Sequence, residues 1–146
     1  MQIAEVMTRS VDLADPGMKL RSAAQKMQKD DIGALPVGEN DRLIGMVTDR
    51  DIVMRGVTGS RSTAGMSVRD AMSEKICYCF EDQSLEEAAD LMAKHQVHRL
   101  PVLNRDKRLV GIIALADLAR NGAGGEKGAL KALRGIAQET GVPRRL

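Results

Sequence analysis

The sequence predicts an α/β fold of two β-α-β-β-α units packed through small mixed sheets with pseudo-two-fold symmetry. Three observations carry that expectation. Residues 6–55 and 71–120 repeat each other at an offset of 65, which becomes 66 after one extra loop residue. Leu20, Ala23, Ala24 and Met27 recur as Leu85, Ala88, Ala89 and Met92, the i, i+3, i+4, i+7 spacing of one helix face. Each copy then carries two short apolar runs joined by a polar turn, which read as paired strands. Two copies of about 50 residues are too few for a solenoid, which needs at least three repeats. They read instead as a pair burying a shared face.

The elements follow in order within each copy. An extended segment comes first, over Ser10–Leu13 and again over Ile76–Phe80. A helix follows over 17–30 and 84–95, the second opened by the capping-box pattern Ser84-Leu-Glu-Glu87. The strand pair is Ala34–Val37 and Leu43–Val47 in the first copy, Arg99–Val102 and Leu109–Ile113 in the second. A closing helix lies near 49–56 and near 115–120. The order mixes hairpin and crossover connections, hence α/β with small mixed sheets. By this reading residues 1–58 form the first repeat, 59–70 a Gly/Ser/Thr-rich linker and 71–121 the second repeat. Residues 122–146 form a Gly-rich hinge and a tail helix over 126–140. Leu130, Leu133, Ile136 and Ala137 mark the tail's apolar side, with Lys127, Lys131 and Arg134 elsewhere. Lys127 beside the glycines is not a phosphate loop, because the Gly-Lys-Ser/Thr ending is absent and no strand precedes it.

Composition narrows the function classes. The 146 residues are 43% hydrophobic and 29% charged, a globular balance long enough for a proper core. Tyr78 and Phe80 are the only aromatics, so aliphatic side chains and nine methionines must fill that core. Their scarcity argues against single-stranded nucleic-acid binding, which relies on stacking platforms. A net charge of +2 implies neither a nucleic-acid nor a membrane partner. No stretch is apolar enough to span a bilayer and the N-terminus lacks signal-peptide organisation, so a cytoplasmic location is expected. Cys77 and Cys79 read as small hydrophobes in a strand, with an intermolecular disulfide or a thiol metal site as the alternatives. There is no nucleophile motif and no metal-ligand spacing, so no enzyme, no catalytic residues and no catalytic or covalent cofactor are expected.

Several motifs recur in order in both copies. Met7-Thr8 matches Met72-Ser73, Leu35-Pro-Val37 matches Leu100-Pro-Val102, Gly45-Met-Val47 matches Gly111-Ile-Ile113, and Asp51-Ile52 matches Asp117-Leu118. Together with Thr48-Asp-Arg-Asp51, this pattern over residues 1–120 resembles the CBS domain pair, or Bateman module. The resemblance implies a tandem CBS fold that forms a homodimer and performs no chemistry. It implies regulatory binding of an adenosyl nucleotide, AMP or ATP, in a cleft between repeats, with the signal passed to an unidentified protein effector.

The residues themselves bear on that expectation. Thr48 and Asp51, three apart at a helix start, present a hydroxyl and a carboxylate suited to ribose. His98 and Arg99 offer positive charge to phosphates, and Arg50 is a further candidate. Met46, Cys77, Val97 and Pro101 offer apolar walls for a base. The resemblance implies, carried over by position, that Thr48, Arg50 and Asp51 of one repeat serve the same cleft as His98 and Arg99 of the other. The second cleft keeps Asp117 but has Ala114 at the threonine position and Gly33-Ala34 at the His-Arg positions, so it is expected to be empty, weak or selective for an uncharged adenosine. Thr48 and Asp51 also make a competent helix cap without any ligand. The alternative function is therefore a structural homodimer with a degenerate, unoccupied nucleotide site.

Overall fold

The computed structural model describes residues 1–59, 62–121 and 123–137, without the side chains of 123–126. The expected linker residues 60 and 61 and the tail beyond 137 lie outside these. The chain forms two compact units, and they are not drawn from the repeats as written. The first unit takes Asp12–Ile76 with Lys107–Leu109; the second takes Met1–Val11, Cys77–Asp106 and the chain from Val110 onward.

In the first unit, α1 spans Leu20–Asp30 and buries Leu20, Ala23 and Met27, with Ala24 half-buried. It starts three residues later than the periodicity suggests. The Asp15 carboxylate accepts the Gly17 N–H at 2.8 Å, and this turn spends the residues that would have opened the helix. Asp31, in the left-handed region with φ 51°, ends it. Strands β1 (Ala34–Glu39) and β2 (Arg42–Thr48) pair antiparallel, with Leu35 opposite Val47 and Val37 opposite Gly45. The segment expected to be extended over Ser10–Leu13 forms no strand; the residue after it, Ala14, makes a parallel bridge to Val37, and Pro16 has no N–H to extend the ladder. Helix α2 (Asp49–Asp51) runs directly into a π-helical turn over Ile52–Val57, closed by Thr58 N–H to the Val53 carbonyl at 3.2 Å. Gly56 belongs there for space: a Cβ would lie 3.0 Å from Leu20 Cδ2. A short helix, α3 (Val68–Ala71), buries Val68 and Ala71, and Arg55 Nη1 donates to the Ala71 and Met72 carbonyls, both at 3.0 Å.

In the second unit, β3 is reduced to Cys79–Phe80 and pairs parallel with β4 (Arg99–Leu103) after helix α4 (Leu85–His95). Strand β5 (Leu109–Ala114) completes the order β3-β4-β5, and α5 spans Leu115–Arg120. Helix α4 buries Leu85, Ala88, Ala89 and Met92, the face marked by the repeat. Phe80 meets Tyr78 edge-on at 5.6 Å and lies under the Arg105 guanidinium, which also grips Asp82 through two bonds of 2.8 and 2.9 Å.

Helix α6 spans Ala123–Ala137 and so takes in Gly124 and Gly125. The leucines of its apolar side are not what it buries. Ala132 is fully buried and Gly128 packs on Ala89, whereas Leu130 is 50% and Leu133 48% exposed and Ala137 is exposed. The facing surface of α4 is alanine, and the approach is so close that a Cβ on Gly135 would lie 2.5 Å from that of Ala93. Only small residues fit there, so the stripe that helix periodicity marks and the face that packs on α4 are different.

One device recurs in both units. A Cβ on Gly45 would meet the Ser73 carbonyl at 2.8 Å, and one on Gly111 the Thr8 carbonyl at 2.8 Å and Met7 Sδ at 2.6 Å. Each glycine admits a Met-Ser/Thr segment, through bridges Met46–Ser73 and Thr8–Ile112. Each segment comes from the other copy in sequence.

Candidate functional site

The first unit builds its part of the site at the junction of β2 and α2. Thr48 ends β2 in extended conformation, φ −117° and ψ 162°, which suits an N-cap. Asp51 N–H donates to Thr48 Oγ1 at 3.0 Å, and Thr48 N–H donates to Asp51 Oδ2 at 2.9 Å. Asp49 N–H reaches back to the Gly33 carbonyl at 2.9 Å. A Cβ on Gly33 would stand 3.0 Å from Asp49 Oδ2, so a small residue favours this closure.

The reciprocal cap leaves chemistry unspent. A hydroxyl has one donor and two acceptor lone pairs, and the cap uses one lone pair. The Thr48 proton remains available, and no donor among the described residues reaches Asp51 Oδ1. Both residues are half-buried. Met46 is half-buried beside them on β2, and Arg50 is exposed. The cap and the ligand reading therefore do not compete for the same atoms.

The second unit holds the other predicted residues. Cys77 and Val97 are half-buried against its core, and Pro101 is buried in β4. His98 and Arg99 are exposed. The His98 carbonyl accepts Leu115 N–H at 2.8 Å, the same closure that Gly33 makes to Asp49. Its backbone is thus structural, while imidazole and guanidinium stand free of protein partners among the described residues. Cys79 is 1% exposed, its thiol donating to the Pro101 carbonyl at 3.7 Å. Burial pushes the Cys79 thiol up to about 12, and burial raises Cys77 as well against the pull of Lys94. Both therefore stay protonated at neutral pH, unlike a reactive thiolate. No group of three or more candidate metal ligands occurs among the described residues.

Asp117, predicted as the remnant of the second cleft, is 7% exposed. Ala114 N–H donates to its Oδ2 at 2.8 Å and Arg120 Nη2 to its Oδ1 at 2.7 Å. Arg120 was not singled out from the sequence. Its spacing, three residues beyond Asp117 on a helix, is the signal that finds it. An open surface cavity of about 310 Å³ between α1 and the π-helical turn is lined by Ala24, Met27, Gln28, Ile32, Asp49, Ile52 and Val53, and contains neither Thr48 nor Asp51. Among the described residues no helix is long and apolar enough to cross a membrane.

Residues 3–57 and 68–124 each match the family model of the CBS domain. Hypoxic response protein 1 of Mycobacterium tuberculosis is 42% identical over 122 residues, covering 80% of this chain and 82% of that protein. The crystal structure of Hypoxic Response Protein I with two coordinated zinc ions has a TM-score of 0.76 at 37% identity, over 84% of this chain and 100% of that one. CBSX2 of Arabidopsis thaliana in complex with AMP has a TM-score of 0.72 over 82% of this chain and 93% of that one; at 24% identity it speaks for the fold alone.

Proposed function

Because the chain belongs to the CBS-domain family and carries the module twice, we propose that it is a non-enzymatic regulatory module that binds an adenosyl nucleotide. The carrying observation is the Thr48–Asp51 cap, which leaves a hydroxyl proton and one carboxylate oxygen for a ribose diol. AMP, the ligand in the CBSX2 structure, heads the candidates, with ATP next. Arg50, His98 and Arg99 are the proposed phosphate cations, and Met46, Cys77, Val97 and Pro101 the walls for the base. Signalling would be a population shift, in which the ligand favours one conformation of the module by no more than its differential affinity. The output passes to a protein effector or to the partner in a homodimer, in the cytoplasm.

A structural homodimer is the second reading. It is favoured by Val53, Met54 and Val57, which stand 51, 55 and 66% exposed along one helical turn.

The discriminating experiment is thermal unfolding of wild type and Asp51→Ala against AMP, ADP, ATP, S-adenosylmethionine and NAD. A sensor gains about 2.7 kcal/mol at a hundredfold excess over Kd, and Asp51→Ala removes that gain. Arg99→Ala is expected to weaken AMP but not adenosine. Indifference of the wild type to all five ligands would leave the structural homodimer.

A further inference from the structure

The second unit repeats the capping aspartate of the first but not its surroundings. Three residues beyond Asp51 stands Met54, 55% exposed and without a donor. Three residues beyond Asp117 stands Arg120, and one helical turn lays its guanidinium on the carboxylate. Both oxygens of Asp117 are engaged, Oδ2 by Ala114 N–H at 2.8 Å and Oδ1 by Arg120 Nη2 at 2.7 Å. The Asp117 side chain is 10% exposed, that of Arg120 69%. A charge screened from water is thus balanced by a cation that stays solvated on its far side.

We propose that Arg120 silences the carboxylate of the second repeat and limits the chain to one nucleoside, held at Asp51. This rests on the reading of Thr48 and Asp51 as ribose-binding groups. A ribose diol binds a carboxylate by donating its hydroxyl hydrogens, so it needs oxygens that are open. At Asp51 it meets an open Oδ1. At Asp117 it must displace a charge-assisted bond with a neutral hydroxyl, the weaker donor. Ala114 brings no hydroxyl to offset the exchange. Arg120 is mostly solvated, so it competes with the ligand while the Ala114–Asp117 cap carries the fold.

The test is isothermal titration with adenosine, which is uncharged and so owes nothing to phosphate cations. Wild type is expected to bind one equivalent per chain, lost in Asp51→Ala. Arg120→Met installs the residue type of position 54 and is expected to add a second equivalent, about tenfold or more tighter than any second event in wild type, as loss of one charged hydrogen bond implies. Adding Asp117→Asn should remove it again. Arg120→Gln, which keeps a polar stem, should reproduce the gain, and circular dichroism confirms that each variant is folded. One equivalent in wild type and in both folded Arg120 variants overturns the role of Arg120 and leaves Asp51 standing. Two equivalents in wild type overturn it as well. No adenosine bound by any variant sinks the ribose reading and this inference together.

Discussion

In the first unit the helix after β2 begins where Asp49 N–H meets the Gly33 carbonyl; in the second the helix after β5 begins where Leu115 N–H meets that of His98. In both, a strand glycine admits a Met-Ser/Thr segment, and an aspartate returns a bond to the N–H of the residue ending the strand, Thr48 or Ala114. The backbone device is shared because two copies of one fold need the same closures. The side chains around it differ: Thr48 against Ala114, Met54 against Arg120, and, at the strand that joins each sheet in parallel, Ala14 against Cys79. Duplication keeps the scaffold under constraint and frees the groups it displays. One copy then presents an open carboxylate and the other a closed ion pair.

Alkaline pH should separate the units most. Ala14 cannot ionise, whereas the Cys79 thiol sits near 12 in the folded chain against 9.0 ordinarily. Its folded value is raised, so its contribution is fully present below pH 9 and is lost as pH climbs from 9 towards 12. The limit is about 4 kcal/mol, three pKa units at roughly 1.4 each. Urea unfolding across that range should show a steep loss in wild type and a flatter one in Cys79→Ala; equal slopes would mean the thiol does not report burial.

The shared device itself can be broken next. Gly111→Ala is expected to cost about 3 kcal/mol and Gly45→Ala about 2, the usual range for overpacking. The order follows the closer approach at Gly111, where Met7 Sδ would lie 2.6 Å from the new carbon, against 2.8 Å for the nearest atom at Gly45. Denaturant midpoints of the two variants check it, and a harmless Gly111→Ala would contradict the close packing. The smallest effect makes the two caps alike. Ala114→Thr should add the missing hydroxyl bond to Asp117 N–H and stabilise by about 0.5–1 kcal/mol, while Thr48→Ala should lose a similar amount. Melting temperatures of the pair should move in opposite directions.

Much of this was legible before any coordinates. The Leu20/Leu85 helix faces, the strand pairs around Pro36 and Pro101 and the Thr48–Asp51 cap follow from local periodicity and capping chemistry, which act between near neighbours. The face that α6 buries was not legible, because Leu130 and Leu133 form the amphipathic stripe while the close approaches to α4 fall at Gly128 on Ala89 and Gly135 on Ala93. Arg120 was not legible from the repeat, because its counterpart in the first copy is Met54 and a repeat marks only the positions that both copies share.

The amino-acid sequence by itself determined the duplicated α/β unit, the family and the residue types at each cap, because hydrophobic period and hydrogen-bonding groups are local properties. Only the tertiary structure decided which copy supplies each Met-Ser/Thr segment, which face of α6 is buried and which aspartate is left open. Those depend on long-range contacts, where a fraction of an ångström between a Cβ and a carbonyl selects one packing over another.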